Sequence, residues 1–160
     1  MRNKQQLLIA CHFGSISHDD IHQFIDSVLE GEEEYDSMVF DAYSRDIFTS
    51  RRNLEEYLRK CLPIFEIQSD EGINVCRREL KHQLERLKQN ECSQEEFCDF
   101  FNRLESELVL THNLSIDFFG DLYNACDCFD SNWKFLPSQY LEDESTRVLE
   151  LINQAEQVAT

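Results

Sequence analysis

The chain has 160 residues, of which 41% are hydrophobic, and its 32 Asp and Glu against 15 Lys and Arg give a formal net charge of −17. An electric field of this sign attracts cationic partners and argues against binding to nucleic acid or to an anionic membrane. Twelve Phe, five Tyr and one Trp exclude a disordered acidic chain, which would be poor in aromatic residues. A single folded domain over residues 1–160 is therefore expected.

The apolar residues recur three and four positions apart, and only four Gly and two Pro interrupt them. In chain order, this spacing predicts helices over residues 7–11, 17–31, 38–48, 50–63, 69–87, 93–112, 115–126 and 142–157. Ser17 with Asp20, and Ser93 with Glu96, have the spacing of helix-capping pairs. Pro63 ends its helix because proline has no backbone N–H to donate.

This pattern indicates an all-α protein, an irregular bundle or a short helix-hairpin stack of about seven helices. No sustained alternation of apolar and polar residues predicts a sheet, although the pattern of residues 64–68 is compatible with a brief extended segment. The basic residues between Arg45 and Lys88 are interleaved with acidic ones that include Glu79 and Glu85. An ordinary charged surface is expected there.

The seven cysteines have no regular framework and no Cys-x-x-Cys pair, which indicates reduced thiols rather than a disulfide scaffold or a zinc site. Cys61, Cys76 and Cys126 fall on apolar stripes and are expected to be buried, and no pair is spaced for redox exchange. The residues near the start lack a secretory signal, and no run is long enough to cross a bilayer. A cytoplasmic protein is expected.

Motifs for catalysis are missing from the sequence, which has no phosphate-binding glycine loop, no nucleophile elbow and no His-Glu-x-x-His. His18 and His22 have the i, i+4 separation of a two-histidine metal site, with Asp26 one turn further on. A polar helix face explains the same residues. We therefore expect a protein that is not an enzyme and that needs no cofactor or metal.

Two zones are acidic throughout. Between Lys4 and Arg45 there are nine acidic residues and no Lys or Arg. The first zone includes a run beside Tyr35 that is a candidate partner-binding surface, although a solvated loop is the more ordinary explanation of an isolated charge run. The residues of this run are Glu32, Glu33, Glu34 and Asp36.

The second zone, residues 91–132, has ten acidic residues against Arg103 alone. It adds aromatic residues to the charge, and aromatic side chains are frequent anchors of protein interfaces. Its candidate partner-binding residues are Asp117, Asp121, Tyr123, Asp127, Asp130 and the adjacent Trp133. Trp133 either fastens a loop to the core or presents an anchor. We expect this second zone to contact the partner, with the first zone in reserve.

The acid-rich zones, the capped helices and the stretch FFGDLYNACDCFDSNW at residues 118–133 resemble small helical immunity proteins of bacterial toxin systems, including contact-dependent growth inhibition. The resemblance implies tight binding to a cognate toxin domain, often a basic nuclease. A nucleic-acid-mimicking nuclease inhibitor would share the electrostatics, and an acidic helical adaptor or regulator would need the charge only for solubility.

Overall fold

The computed structural model of the protein describes residues 2–29, 47–131 and 137–160. Within these ranges it has seven α-helices and one π-helical turn, and no strand. The helices are α1 (Lys4–Phe13), α2 (His18–Leu29), α3 (Ile47–Cys61), α4 (Asp70–Lys88), α5 (Gln94–Ser106), α6 (Phe119–Ser131) and α7 (Gln139–Ala159). The all-α class predicted from the sequence is confirmed.

Contacts between Cα atoms divide the chain into an N-terminal unit, Met1–Val75, and a C-terminal unit, Cys76–Thr160. The division falls within α4. The organisation of the whole chain as one domain stays a prediction.

In the N-terminal unit, α3 packs against both α1 and α2. Helix α1 begins where Asn3 Oδ1 accepts a hydrogen bond from the Gln6 N–H, and it ends at Gly14, whose left-handed φ of 74° suits glycine. The Phe24 and Tyr57 rings lie 5.9 Å apart between α2 and α3. One core cluster of this unit consists of Leu7, Leu8, Ala10, Cys11, Ile16, Ile21, Phe24, Ile25, Leu54, Tyr57 and Leu58.

In the C-terminal unit, α6 packs against α5 and α7. The capping box predicted at Ser93 is confirmed, because the Ser93 hydroxyl accepts from the Glu96 N–H and the Glu96 carboxylate accepts from the Ser93 N–H. The predicted aromatic stripe is also buried, with Phe97, Phe100, Phe101, Leu104 and Leu108 each no more than 2% exposed.

A π-helical turn, Glu107–Thr111, follows α5 directly. Leu108 within this turn is fully buried, whereas Leu110 is 82% exposed. His112 caps the turn and is followed by Asn113 with a φ of 53°, which agrees with the end of the helix predicted over residues 93–112.

Several expectations need correction. Residues 64–68 contain turns and no strand. Cys61 is exposed rather than buried, because it is the last residue of α3 and lies at the end of the apolar stripe. The helix predicted from Ser115 begins at Phe119, because residues 117 and 118 form a turn in which Phe118 has a φ of 72°. The helix predicted over 38–48 lies largely outside the described residues.

Glu79 does not belong to a charged surface. Its side chain is fully buried in the C-terminal unit, and Gln83, one turn further along α4, is 2% exposed. Gln83 Nε2 donates a hydrogen bond to Glu79 Oε1 at 2.8 Å. Arg86 Nη1 donates in turn to Gln83 Oε1 at 3.2 Å. The buried carboxylate is tolerated because hydrogen bonds replace part of its hydration.

Candidate functional site

Helix α6 carries most of the described candidate residues, and one of its faces is fixed by packing. That face is buried and consists of Phe119, Leu122, Ala125, Cys126 and Phe129. On the α5 side, the Phe119 ring meets the Phe101 ring edge-to-face with centroids 5.5 Å apart. Because neighbours hold the inner face on both sides, the outward side chains of α6 are presented from a rigid element.

Tyr123, Asp127 and Asp130 lie together on the outward side of α6. They are four and three positions apart, which places their side chains on one side of a helix, one turn above another. Tyr123 is 48% exposed, and the two aspartates are exposed. We call these three residues the acidic stripe. It combines two carboxylates with an aromatic ring that has both an apolar body and a polar tip.

Asp121 is on a different side of the same helix. It lies roughly 180° around the helix axis from Asp130, since each residue advances by about 100°. Its carboxylate is 3.2 Å from Arg147 Nη2 of α7, and the same nitrogen is 2.7 Å from Glu144 Oε2. The hydrogen bond to Glu144, supported by Asp121, raises the pKa of the Arg147 guanidinium. Asp121 therefore takes part in joining α6 to α7.

Asp117 precedes α6 and is exposed in the turn that leads into it. It borders a mainly apolar groove of about 340 Å³ within the C-terminal unit, which Arg77 and Arg78 also line. Asp117 therefore shares its groove with two cationic side chains, whereas the charged members of the acidic stripe are both carboxylates. The remaining candidates, Trp133, Glu32, Glu33, Glu34 and Asp36, lie outside the described residues, and their roles stay predictions.

One described acidic residue of the first zone, Asp20, has a structural role at the start of α2. Asp20 Oδ2 lies 2.8 Å from Arg2 Nη1 and accepts hydrogen bonds from the Ser17 N–H at 2.7 Å and the Ser17 hydroxyl at 2.8 Å. The predicted capping pair is thus confirmed. Burial by itself would raise the pKa of the Asp20 carboxyl, but Arg2 and these hydrogen bonds outweigh it and lower the pKa.

His18 and His22 lie side by side on α2, as their spacing predicts. Their rings are stacked, with centroids 4.5 Å apart and planes 13° from parallel. Asp26, on the same helix, is exposed. Across the described ranges, no group of three or more His, Cys, Asp or Glu side chains is placed to hold a metal ion.

The structure also brings together two cysteines that the sequence did not pair. Cys98 of α5 and Cys126 of α6 are both buried, and a hydrogen bond joins the two thiols, with their sulfur atoms 2.7 Å apart. The proton that Cys126 shares with Cys98 in this hydrogen bond, together with burial, raises the pKa of the Cys126 thiol. Sequence spacing could not reveal the pair, because 28 positions separate the two residues and only helix packing unites them.

Comparison of the chain with protein-family models, with curated proteins and with solved structures finds no match. Among the described helices, none combines the length and the apolar character that a membrane crossing requires. The function must therefore be argued from the chemistry of the surface.

Proposed function

We propose that this chain is a non-catalytic binding protein that neutralises a basic partner protein, as an immunity protein neutralises the nuclease domain of its cognate toxin. The observation that carries the proposal is the acidic stripe of α6. Asp127 and Asp130 are exposed there beside the half-exposed Tyr123. Such a surface suits a cationic protein surface better than it suits an anionic ligand.

The mechanism proposed is occlusion. A nuclease needs a positive cleft to bind phosphates, and a protein with a net charge of −17 is drawn to the same cleft. Long-range attraction accelerates the encounter, while carboxylates that meet Lys or Arg at close range select the register of binding. Filling the cleft excludes the substrate without any reaction on the part of the inhibitor.

Tyr123 has a separate role in this proposal. Charge alone gives fast but short-lived association in salt, because exposed charges are screened. An aromatic side chain that becomes buried on binding slows dissociation, and Tyr is enriched among the residues that dominate interface energies. The ring is about half exposed in the free protein, so a partner can bury a substantial part of its surface.

The test is co-expression with the protein encoded by the neighbouring open reading frame, scored by rescue from toxicity and by co-purification. We expect the wild-type chain to rescue growth and to co-purify with the toxic protein. The double variant Asp127→Lys with Asp130→Lys is expected to do neither while remaining folded by circular dichroism. The matched control, Asp143→Lys with Glu150→Lys, makes the same change in net charge at exposed positions of α7.

Three results would contradict the proposal. Equal loss of rescue in the control variant would mean that net charge alone acts, without a defined surface. Inhibition of several unrelated DNA-binding proteins by the wild-type chain would favour a nucleic-acid mimic, whereas binding without any inhibition would favour an adaptor.

A further inference from the structure

Cys98 and Cys126 form a dithiol pair inside the C-terminal unit. Both are free thiols, 1% and 0% exposed, on two helices that pack against each other. Their sulfur atoms are 2.7 Å apart, about 0.7 Å more than the covalent S–S bond of about 2.05 Å. Phe101 and Phe119 belong to the same two helices, and their edge-to-face contact helps to pack α5 against α6. Bond formation therefore needs only a small approach of the two side chains.

We propose that Cys98 and Cys126 are a site of reversible disulfide formation, at which a low-molecular-weight disulfide oxidises the pair and covalently joins α5 to α6. One protein thiolate attacks the small disulfide, forms a mixed disulfide and releases one small thiol. The second protein thiolate attacks the protein sulfur of the mixed disulfide and releases the other small thiol. The two cysteines lose two electrons and two protons, and the small disulfide gains both.

Burial controls the rate of this reaction. The attacking species is the thiolate, and the hydrogen bond between the two thiols, together with burial, disfavours the thiolate of Cys126. A small disulfide also has no open path to the buried sulfurs. Oxidation therefore proceeds through transient separation of α5 from α6, and the same burial protects the finished disulfide from reductants.

The disulfide would act on the helix that carries the acidic stripe. Cys126 occupies the buried face of α6, and Asp127 is the next residue on its outward side. A bond at Cys126 closes the chain between α5 and α6, which removes conformations from the unfolded ensemble and raises stability. Oxidation is thus expected to fix α6 against α5 without changing the charge of the stripe.

The experiment uses the full chain and oxidised glutathione as the probe. The protein is incubated with defined ratios of oxidised to reduced glutathione, with and without a sub-denaturing concentration of urea, then quenched in acid, alkylated and digested. We expect two of the seven thiols to become resistant to alkylation, and one linked peptide pair to contain Cys98 and Cys126. The reaction is expected to be faster in urea, and the oxidised protein to unfold several degrees higher than the reduced protein.

The matched control is Cys76→Ala, because Cys76 is equally buried in the same unit and burial raises its pKa to about 12. This variant is expected to form the same linked peptide, whereas Cys98→Ala and Cys126→Ala lose it together with the rise in unfolding temperature. If either alanine variant fails to fold, the wild-type peptide map decides. Seven alkylated thiols both with and without urea would overturn the proposal, as would a link through exposed Cys61 or Cys128.

Discussion

Gln83 donates a hydrogen bond from Nε2 to Oε1 of Glu79 at 2.8 Å, and both side chains are buried although α4 carries many charged residues. A buried acceptor that loses a hydrogen bond costs more than the bond itself contributes, because the desolvation penalty stays. Gln83→Leu is expected to lower the free energy of unfolding by roughly 1–3 kcal/mol, measured by urea denaturation.

The control for this substitution is Gln154→Leu, since Gln154 is an exposed residue of α7. Its effect is expected to stay within about 0.5 kcal/mol. Equal destabilisation by both substitutions would show that loss of the Glu79–Gln83 hydrogen bond is not the cause of the lower free energy of unfolding.

Two glycines are predicted to respond oppositely to the same substitution. A Cβ at Gly72 would lie 2.2 Å from the Glu66 carbonyl oxygen and 2.3 Å from that of Ile67, so backbone would have to move. Gly72→Ala is expected to lower the free energy of unfolding by roughly 1–3 kcal/mol.

At Gly120, near the start of α6, an added Cβ would meet nothing within 4 Å. Gly120→Ala is expected to raise the free energy of unfolding by roughly 0.5–1 kcal/mol, because alanine restricts the unfolded chain and favours helix. Thermal unfolding of both variants measures the difference, and a stabilising Gly72→Ala would refute the close approach at Glu66.

Acid is predicted to remove the stability that Asp20 contributes. The pKa of this carboxyl is lowered in the folded protein from its ordinary value of 3.8, so the folded state favours the ionised form. The contribution is complete above that value and is lost as the pH falls through the lower, folded-state pKa. Asp20→Asn is therefore expected to destabilise the protein at pH 7 and to differ less from the wild type in strong acid.

Urea midpoints measured between pH 7 and pH 2 test this expectation. Asp19→Asn is the control, because Asp19 is the exposed neighbour on the same turn of α2. A constant difference between Asp20→Asn and the wild type across the whole pH range would contradict the linkage.

Binding kinetics distinguish the acidic stripe from the rest of the second zone. Reversing Asp127 and Asp130 to Lys is expected to slow association with a basic partner by roughly tenfold or more at low salt, and by less at high salt, because ions screen exposed charges. Asp121 is a poorer choice for charge reversal, since a lysine there would face Arg147 and disturb the contact between α6 and α7.

Stopped-flow association at two ionic strengths measures the effect. Tyr123→Ala is expected to accelerate dissociation instead, with little change in the salt dependence of association. If the stripe variant binds normally while neutralising Glu32, Glu33 and Glu34 weakens binding, the first acidic zone is the contact surface.

Local signals in the sequence predicted the helices well. Ser93 with Glu96 and Ser17 with Asp20 mark helix starts because each pair satisfies backbone N–H groups within one turn, which is a property of neighbouring residues alone. The start of α6 was misplaced, since a left-handed Phe118 delays the helix and nothing in its residue type announces that.

Properties that depend on helix packing could not be predicted. Glu79 has the charge of a surface residue but lies beside the buried stripe of α4, and a hydrogen bond from Gln83 makes that burial tolerable. Asp121 and Asp130 share one helix and one charge, yet only a helix projection together with Arg147 of α7 separates their roles. The same limit concealed the contact between Cys98 and Cys126.

The π-helical turn after α5 places two nearby leucines in different environments. A π turn closes its hydrogen bond over one residue more than an α turn does, so the last turn here is wider than the helix that it follows. Leu108 stays in the core, while Leu110 projects into solvent with 82% of its surface exposed. Glu107–Thr111 thus fastens the end of α5 to the core through Leu108 and leaves an apolar side chain, Leu110, on the surface two residues away.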